Sequence, residues 1–260
     1  MTIIYVYNQS TVVTNTDVAY MVQANNFYVA LFCKTWNREA PSIKFITTPL
    51  PPVSKRDPHA WYFLITDTTT EAGALAYHTE ESGIVDGYVF AKTILDNKGV
   101  VLWKDSKTDT VASALCHEIL ETICDPNCNG WWSLDNGSYV ASEVCDPVQD
   151  QMVPVPITIA PNHAITVGLS DFITPAWMDA EAKSGPFNFL NNLKHPFTLT
   201  QGGYAVVADS KGNITYVTGK DTNVSKVETK GSTQLSRIGF KGKSCSIKTS
   251  DQTECSLLTL

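Results

Sequence analysis

Long apolar runs and a basic leader are both missing from this sequence. Although 43% of its 260 residues are hydrophobic, no stretch reaches the roughly 20 apolar residues that a membrane-spanning helix needs. The N-terminus, MTIIYVYNQS, has no basic segment ahead of an apolar one, as a signal peptide would have. We therefore expect no transmembrane segment and no signal peptide, a protein that begins at Met1, and a cytoplasmic location unless the chain is part of a larger particle.

Positive charge is scarce as well. The chain has 19 Lys and Arg residues against 26 Asp and Glu residues, which gives a formal net charge of -7 and a pI near 5.2. Because nucleic acids and anionic membranes attract basic surfaces, this balance argues against both as partners. The hydrophobic content is sufficient for the core of one elaborate domain or two small ones.

Paired C-x-x-C motifs are also absent. The count of seven cysteines is odd, so at least one thiol stays unpaired within the chain, and the missing signal peptide favours a reducing compartment. Four cysteines nevertheless crowd one region of the sequence, where a local bridge, a structural zinc site and simple burial as small hydrophobic side chains all stay open. They are Cys116, Cys124, Cys128 and Cys145.

The first half of the chain alternates between strand-like and helix-like patterns. Alternating β-branched and aromatic residues predict strands, and apolar residues at helical spacing predict a helix that Thr16 or Asp17 caps. A Gly/Ala/His segment over 73–78 precedes the last of these strands. The predicted elements are a strand over 1–7, a helix over 18–36, and strands over 43–46, 61–65 and 84–91.

The second half has shorter β-like runs with frequent Gly, Pro and Asn. These runs predict strands over 153–159, 204–207 and 214–217, and the segment 209–213 resembles a hairpin turn between the last two. From Gly219 the chain is rich in Ser, Thr and Lys. This composition predicts either exposed strands or an extended arm that needs a partner to order it.

Together these patterns predict an α+β protein. Its N-terminal half is expected to hold a mixed β-sheet and two main helices, the second carrying a metal motif, and its C-terminal half is expected to be β-rich and irregular. The predicted regions are a metal-site domain over 1–150, a β-rich extension over 151–218 that completes the cleft, and a tail or arm over 219–260.

A well-marked helix is predicted from Val111 to about Pro126. Thr108, Asp109 and Thr110 offer N-cap oxygens at its start, and Pro126 forbids its smooth continuation. An apolar face at helical spacing is expected to point at the core. This face consists of Leu115, Ile119, Thr122 and Ile123.

Three residues of this helix form an H-E-x-x-E motif. His117 and Glu121 are four residues apart, so both point at one ion, and imidazole and carboxylate are both accepted zinc ligands. Glu118 is the candidate catalytic base, which takes a proton from water. Because Glu121 stands where zinc hydrolases have a second histidine, its negative charge weakens the ion as a Lewis acid. Calcium or manganese therefore stays possible beside zinc.

A third metal ligand is expected from the chain beyond the helix. A catalytic site needs a third protein ligand and leaves one position open for water. Glu143 is the first choice for this ligand. Asp146 is a further metal candidate, which either orients a ligand or binds the ion itself. Asp171 is another alternative for the third ligand.

A competing interpretation needs no metal. In it, Glu118 and Glu121 belong to a solvated helix face, and His117 is a hydrogen-bonded surface histidine. Three other histidines have no neighbouring motif and are interpreted as polar loop residues. They are His78, His163 and His195.

Four phrases of the sequence and the order of its elements carry a family resemblance. Over roughly residues 1–207 the chain resembles poorly characterised zincin-like proteins of bacteria and their viruses. The resemblance implies a zincin-like N-terminal half and a metallopeptidase-type fold, and it favours Glu143, since the glutamate ligand of gluzincins also follows the motif helix. The phrases are Leu115–Glu121, Glu143–Pro147, Ser170–Pro175 and Gly202–Tyr204.

Two classes of function follow from these observations. The first is a metal-dependent hydrolase, either a zincin-type peptidase or a degenerate relative, which acts on a peptide or protein. The second, which the resemblance and the tail composition imply, is a non-enzymatic structural or host-contact subunit of a virus or phage that reuses a zincin scaffold and is located in the virion. The second class is expected to form homo- or hetero-assemblies through the C-terminal tail.

Overall fold

The computed structural model describes residues 2–69, 74–219 and 224. The predicted tail over 219–260 lies outside these residues apart from Gly219 and Val224. Within the described part of the chain, no helix has the length and apolar character needed to cross a membrane. The elements are β1 Ile3–Asn8, α1 Asn15–Thr35, β2 Ser42–Ile46, β3 Ala60–Thr66, β4 Ala76–Glu81, β5 Ile84–Phe90, α2 Ala91–Asp96, α3 Val111–Cys124, β6 Trp131–Ser133, β7 Tyr139–Ala141, β8 Met152–Ala160, β9 His163–Ser170, β10 Tyr204–Ala208 and β11 Ile214–Thr218.

A five-stranded mixed sheet forms the N-terminal part, with the strand order β2-β1-β3-β5-β4. Strands β1, β2, β3 and β5 pair in parallel, and β4 pairs with β5 in the antiparallel sense. The expected mixed α+β fold with few helices is therefore present. The predicted strand over 84–91 is β5, which lies inside the sheet. The edge strand is β4, which was not predicted as a strand because its polar half, Thr79–Glu81, hides the alternating pattern.

Helix α1 begins three residues earlier than predicted, and its cap is neither Thr16 nor Asp17. The N-cap is Thr14, whose hydroxyl accepts a hydrogen bond from the Asp17 N–H at 3.1 Å. The Asp17 carboxylate accepts one from the Thr14 N–H at 3.2 Å. This reciprocal capping box satisfies two N–H groups at the helix start. Asp17 therefore serves the cap from inside the first turn.

The chain forms two compact units. Unit 1 holds the described residues up to Leu120 together with Gln151–Ser170, and unit 2 holds Glu121–Asp150 and the described residues from Asp171 onward. This division differs from the predicted boundary at residue 150, because residues 121–150 belong to unit 2 and the β8–β9 hairpin belongs to unit 1. There the Tyr28 hydroxyl of α1 donates to the Ser170 carbonyl at 3.0 Å. The unit boundary falls inside α3, which is one continuous helix.

Unit 2 contains a four-stranded antiparallel sheet with the order β11-β10-β7-β6. The predicted turn over 209–213 is confirmed, since it joins the antiparallel strands β10 and β11. The Asp209 N–H donates to the Asn213 carbonyl at 3.0 Å. The Asp209 carboxylate accepts the Asn213 side-chain amide at 2.7 Å. A side chain that bonds to its own turn in this way fixes the hairpin register.

Candidate metal centre

Helix α3 begins at a strong cap. The Ser113 N–H donates to the Thr110 hydroxyl at 2.7 Å, and the Thr110 N–H donates to the Ser113 hydroxyl oxygen at 3.0 Å. The Thr110 hydroxyl in turn donates to the Gly168 carbonyl of β9 at 2.9 Å. One of the three expected cap residues, Thr110, therefore starts the helix and also ties it to the β8–β9 hairpin of unit 1.

The acidic residues of the motif are buried. Glu118 is 6% exposed and Glu121 is 3% exposed, while His117 is half-buried. Leu115 and Ile119, on the expected core face, are fully buried. The interpretation of Glu118 and Glu121 as part of a solvated face is therefore wrong. Because a buried carboxylate is costly without compensation, the fold must provide these two with hydrogen bonds or positive charge.

Glu118 meets a histidine of the edge strand within unit 1. The Nδ1 atom of His78 lies 3.0 Å from Oε2 of Glu118, and His78 itself is only 3% exposed. The interpretation of His78 as a polar loop residue is therefore wrong, since it lies in β4. His163 is exposed at the start of β9, whereas His195 is an exposed loop residue as predicted.

Glu121 holds the segment after β7 in place within unit 2. The Cys145 N–H donates to Oε1 of Glu121 at 3.2 Å. Two further hydrogen bonds fix the same segment, from the Ser142 N–H to the Gly130 carbonyl at 3.0 Å and from the Ile173 N–H to the Val144 carbonyl at 2.8 Å. Three hydrogen bonds therefore hold the backbone of residues 142–145, and both Glu143 and Cys145 are buried.

The loop that follows α3 is built around Asp125, which is fully buried. Its two carboxylate oxygens accept hydrogen bonds from the N–H groups of Asn129 at 3.0 Å and Gly130 at 2.9 Å. A Cβ atom at Gly130 would lie 2.9 Å from the Ser142 hydroxyl and 3.1 Å from the Asp125 carboxyl carbon. Only glycine fits this close approach without movement of its neighbours, so the loop brings β6 and the 142–146 segment together.

Two groups of side chains can hold a metal ion, each with all its ligand atoms within 4.8 Å of one another. The first consists of His117, Glu121 and Cys145, and the second of His78, Glu121 and Glu143. Nitrogen, oxygen and sulfur donors are all zinc ligands, so the first donor set fits zinc. Calcium prefers oxygen ligands alone, which neither group offers.

Two of the alternative ligand candidates lie in neither group. Asp146 begins a short 3-10 helix, and its charge acts on Tyr216, whose pKa is raised first by burial and then by Asp146. The Asp171 carboxylate accepts hydrogen bonds from the Asn188 side chain at 2.5 Å and from the Phe172 N–H at 2.9 Å. Asp171 therefore braces its own loop within unit 2.

The cysteines of the described residues are buried thiols, and none forms a disulfide. No group of three among Cys116, Cys124, Cys128 and Cys145 has metal-binding geometry in the part of the chain that the structure describes. Burial raises the pKa of the Cys116 thiol to about 12, which is the behaviour of a small core residue. Cys145 is the exception, because it belongs to the first metal group.

Sequence reasoning missed two members of these groups. His78 has no neighbouring motif and lies 40 positions before its partner Glu118. Cys145 was considered only as part of a cysteine cluster or as a hydrophobic residue. Its place two residues after Glu143 was the available signal, since both belong to the short segment that follows β7.

The family resemblance rests on short phrases and on the order of elements. The structure supports its coarser part, a mixed α+β fold with few helices. No family model matches the chain, and no curated protein or solved structure matches it significantly.

Proposed function

We propose that the protein is a metal-dependent hydrolase, either a zincin-type peptidase or a degenerate relative, whose ion is bound by α3. The observation that carries the proposal is the first metal group, in which ligand atoms of His117, Glu121 and Cys145 lie within 4.8 Å of one another. Helical spacing explains why the first two face one ion. The hydrogen bond from the Cys145 N–H explains why the third residue stays beside Glu121.

Zinc is the proposed metal. The thiolate of Cys145 and the imidazole of His117 are ligands that zinc accepts and that calcium does not. Manganese prefers oxygen-rich sites and suits the first group less well. The replacement of the usual second histidine by Glu121 keeps three protein ligands, and it lowers the net charge of the centre by one unit.

The chain's own residues divide the proposed chemistry among them. His117, Glu121 and Cys145 hold the ion, and Glu118, the next residue along the helix, accepts a proton from water and delivers it to the leaving group. The His78 imidazole, 3.0 Å from the Glu118 carboxylate, fixes the orientation of that base. A bound zinc ion supplies Lewis acidity and makes water a nucleophile at neutral pH. A peptide or protein substrate is proposed on the family resemblance.

The first experiment measures metal in the purified full chain. The protein is prepared without added metal, and elemental mass spectrometry compares wild type with His117→Ala and Glu121→Ala. Exposed residues provide the matched controls His195→Ala and Glu181→Ala. We expect at least one equivalent of zinc in wild type and in both controls, and a loss of zinc in both motif variants. The proposal is overturned if purified wild-type protein contains no metal and added zinc does not stabilise it against heat.

The second experiment separates binding from catalysis. Zinc-loaded wild type and Glu118→Gln are compared on a library of quenched fluorescent peptides. We expect Glu118→Gln to keep the zinc of the first group and to lose about 10²- to 10⁴-fold in turnover, as for the removal of a general base. Cleavage by Glu118→Gln at the wild-type rate would remove Glu118 from the mechanism.

The alternative proposal is a non-enzymatic viral or phage subunit. It rests on the composition of the tail over 219–260, which lies outside the described residues, and on the replacement of the second histidine. Its test is the deletion of residues 219–260, which is expected to abolish assembly. If the truncated chain still assembles normally and the wild-type protein binds metal, the subunit proposal is excluded and the hydrolase proposal is retained.

A further inference from the structure

We infer that the centre binds two divalent metal ions and that Glu121 is the ligand shared by both. The inference rests on the proposed function, since the first ion is the one described above. The two metal groups have Glu121 in common, and each brings its own pair of further ligands. A carboxylate has two oxygens and is able to bind one ion with each. Glu121 therefore has the chemistry that a bridging ligand needs.

The second ion is assigned to His78, Glu121 and Glu143. His78 has the hydrogen bond that metal-binding histidines typically make, because one ring nitrogen faces a carboxylate that orients the ring. Its Nδ1 atom lies 3.0 Å from Oε2 of Glu118, and we assign Nε2 as the coordinating nitrogen. His78 engages Oε2 of Glu118, and we assign the proton transfer to Oε1. The hydrogen bond between His78 and Glu118 is thus compatible with His78 as a metal ligand and with Glu118 as the catalytic base.

The burial of several acidic groups favours bound cations. Glu118, Glu121 and Glu143 are each at most 6% exposed, and Cys145 is fully buried. Buried carboxylates are stable only when hydrogen bonds or positive charges compensate them. Divalent ions bound here would add positive charge beside these acidic groups.

The two positions differ in their donors. The first offers nitrogen, oxygen and sulfur, which favours zinc, whereas the second offers nitrogen and carboxylate oxygen only, which also accepts manganese. Hydrolytic sites with two ions stabilise both the attacking and the leaving oxygen. A second ion would therefore offset the loss of Lewis acidity that Glu121 causes at the first.

The test counts zinc ions in metal-stripped full-length protein titrated with zinc alone and followed by calorimetry. We expect two equivalents in wild type and in the exposed control His163→Ala, one in His78→Ala, one in Cys145→Ser, and none in Glu121→Ala. Glu118→Gln keeps the carboxylate's size and is expected to weaken only the second ion, by about 10- to 100-fold. It serves as the readout if His78→Ala does not fold.

Cobalt substitution assigns each ion to its group. The thiolate-to-cobalt absorption band is expected to persist in His78→Ala and to vanish in Cys145→Ser. A different result is that wild-type protein binds one equivalent of zinc, which is lost in His117→Ala and unchanged in His78→Ala and Glu118→Gln. That result would overturn the second ion and leave the proposed function intact. No zinc in wild type would overturn both. Two equivalents that His78→Ala does not reduce would overturn the assignment of His78.

Discussion

Asp171 makes the stability of this protein depend on pH in a direction unusual for a carboxylate. Its side chain is fully buried in unit 2. Burial raises the pKa of Asp171 to about 7, although hydrogen bonds from Asn188 and from the N–H groups of Phe172 and Leu190 oppose the shift. Two residues later the Ile173 N–H holds the Val144 carbonyl. The charge of Asp171 therefore bears on the loop that braces the candidate ligand segment.

The magnitude follows from the two pKa values. In the unfolded chain an aspartate releases its proton near 3.8, and in the folded protein Asp171 releases it near pH 7. Between these values the unfolded state binds fewer protons than the folded state, so the free energy of unfolding falls as pH rises. The shift corresponds to about 4 kcal/mol in total, of which roughly 3 kcal/mol is lost between pH 5 and pH 8.

Urea unfolding at several pH values from about 5 to about 8 measures this effect. Asp171→Asn cannot ionise, so its free energy of unfolding relative to wild type is expected to rise by roughly 3 kcal/mol over that range. The absolute value at any one pH also contains the new contact between two amides, and only the slope is diagnostic. Asp135→Asn, at an exposed turn position, is the matched control against which the slope of Asp171→Asn is compared. A pH-independent difference for Asp171→Asn would refute the argument.

Two further predictions concern the scaffold, and urea unfolding checks both. Thr110→Ala removes the α3 cap and is expected to lower the free energy of unfolding by about 1–2 kcal/mol. Thr108→Ala, at an exposed hydroxyl, is the control and is expected to change this free energy little. Equal effects of the two variants would contradict the assignment of the cap. Arg56→Met leaves the partly buried Asp86 carboxylate without the guanidinium nitrogen that donates to both of its oxygens, and it is expected to lower the free energy of unfolding by about 3 kcal/mol. Lys92→Met breaks an exposed ion pair with Asp96 and is expected to have no measurable effect on the free energy of unfolding. Similar losses of stability in the Lys92 and Arg56 variants would refute the role of burial.

The predictable parts of the fold are those with strong local chemistry. Thr110 and Pro126 bracket α3 because a hydroxyl cap and a proline act within one helical turn. The 209–213 turn was predictable for the same reason, since Asp209 bonds within its own turn. The start of α1 was misjudged because Thr14 and Asp17 cap it jointly, and either alone looks like a cap.

Strand β4 shows where local patterns stop being informative. Its sequence, AYHTEE, ends in charged residues that suit a sheet edge rather than a core strand. The strand is specified by its antiparallel pairing with β5, in which His78 faces Gly87. That pairing is a property of the sheet, so His78 could not be recognised as buried before the sheet was known.

Glu118 and Glu121 show why sequence and structure differ most at the candidate site. In the sequence they have the spacing of a solvated helix face, yet both are buried. Their partners come from far along the chain, since His78 lies 40 positions before Glu118 and Cys145 lies 24 positions after Glu121. No helical or strand period encodes contacts at such separations. A protein that buries two acidic residues against the local pattern sacrifices stability there, and such conflicts concentrate at functional sites. The conflict is therefore itself a physical argument for chemistry on α3.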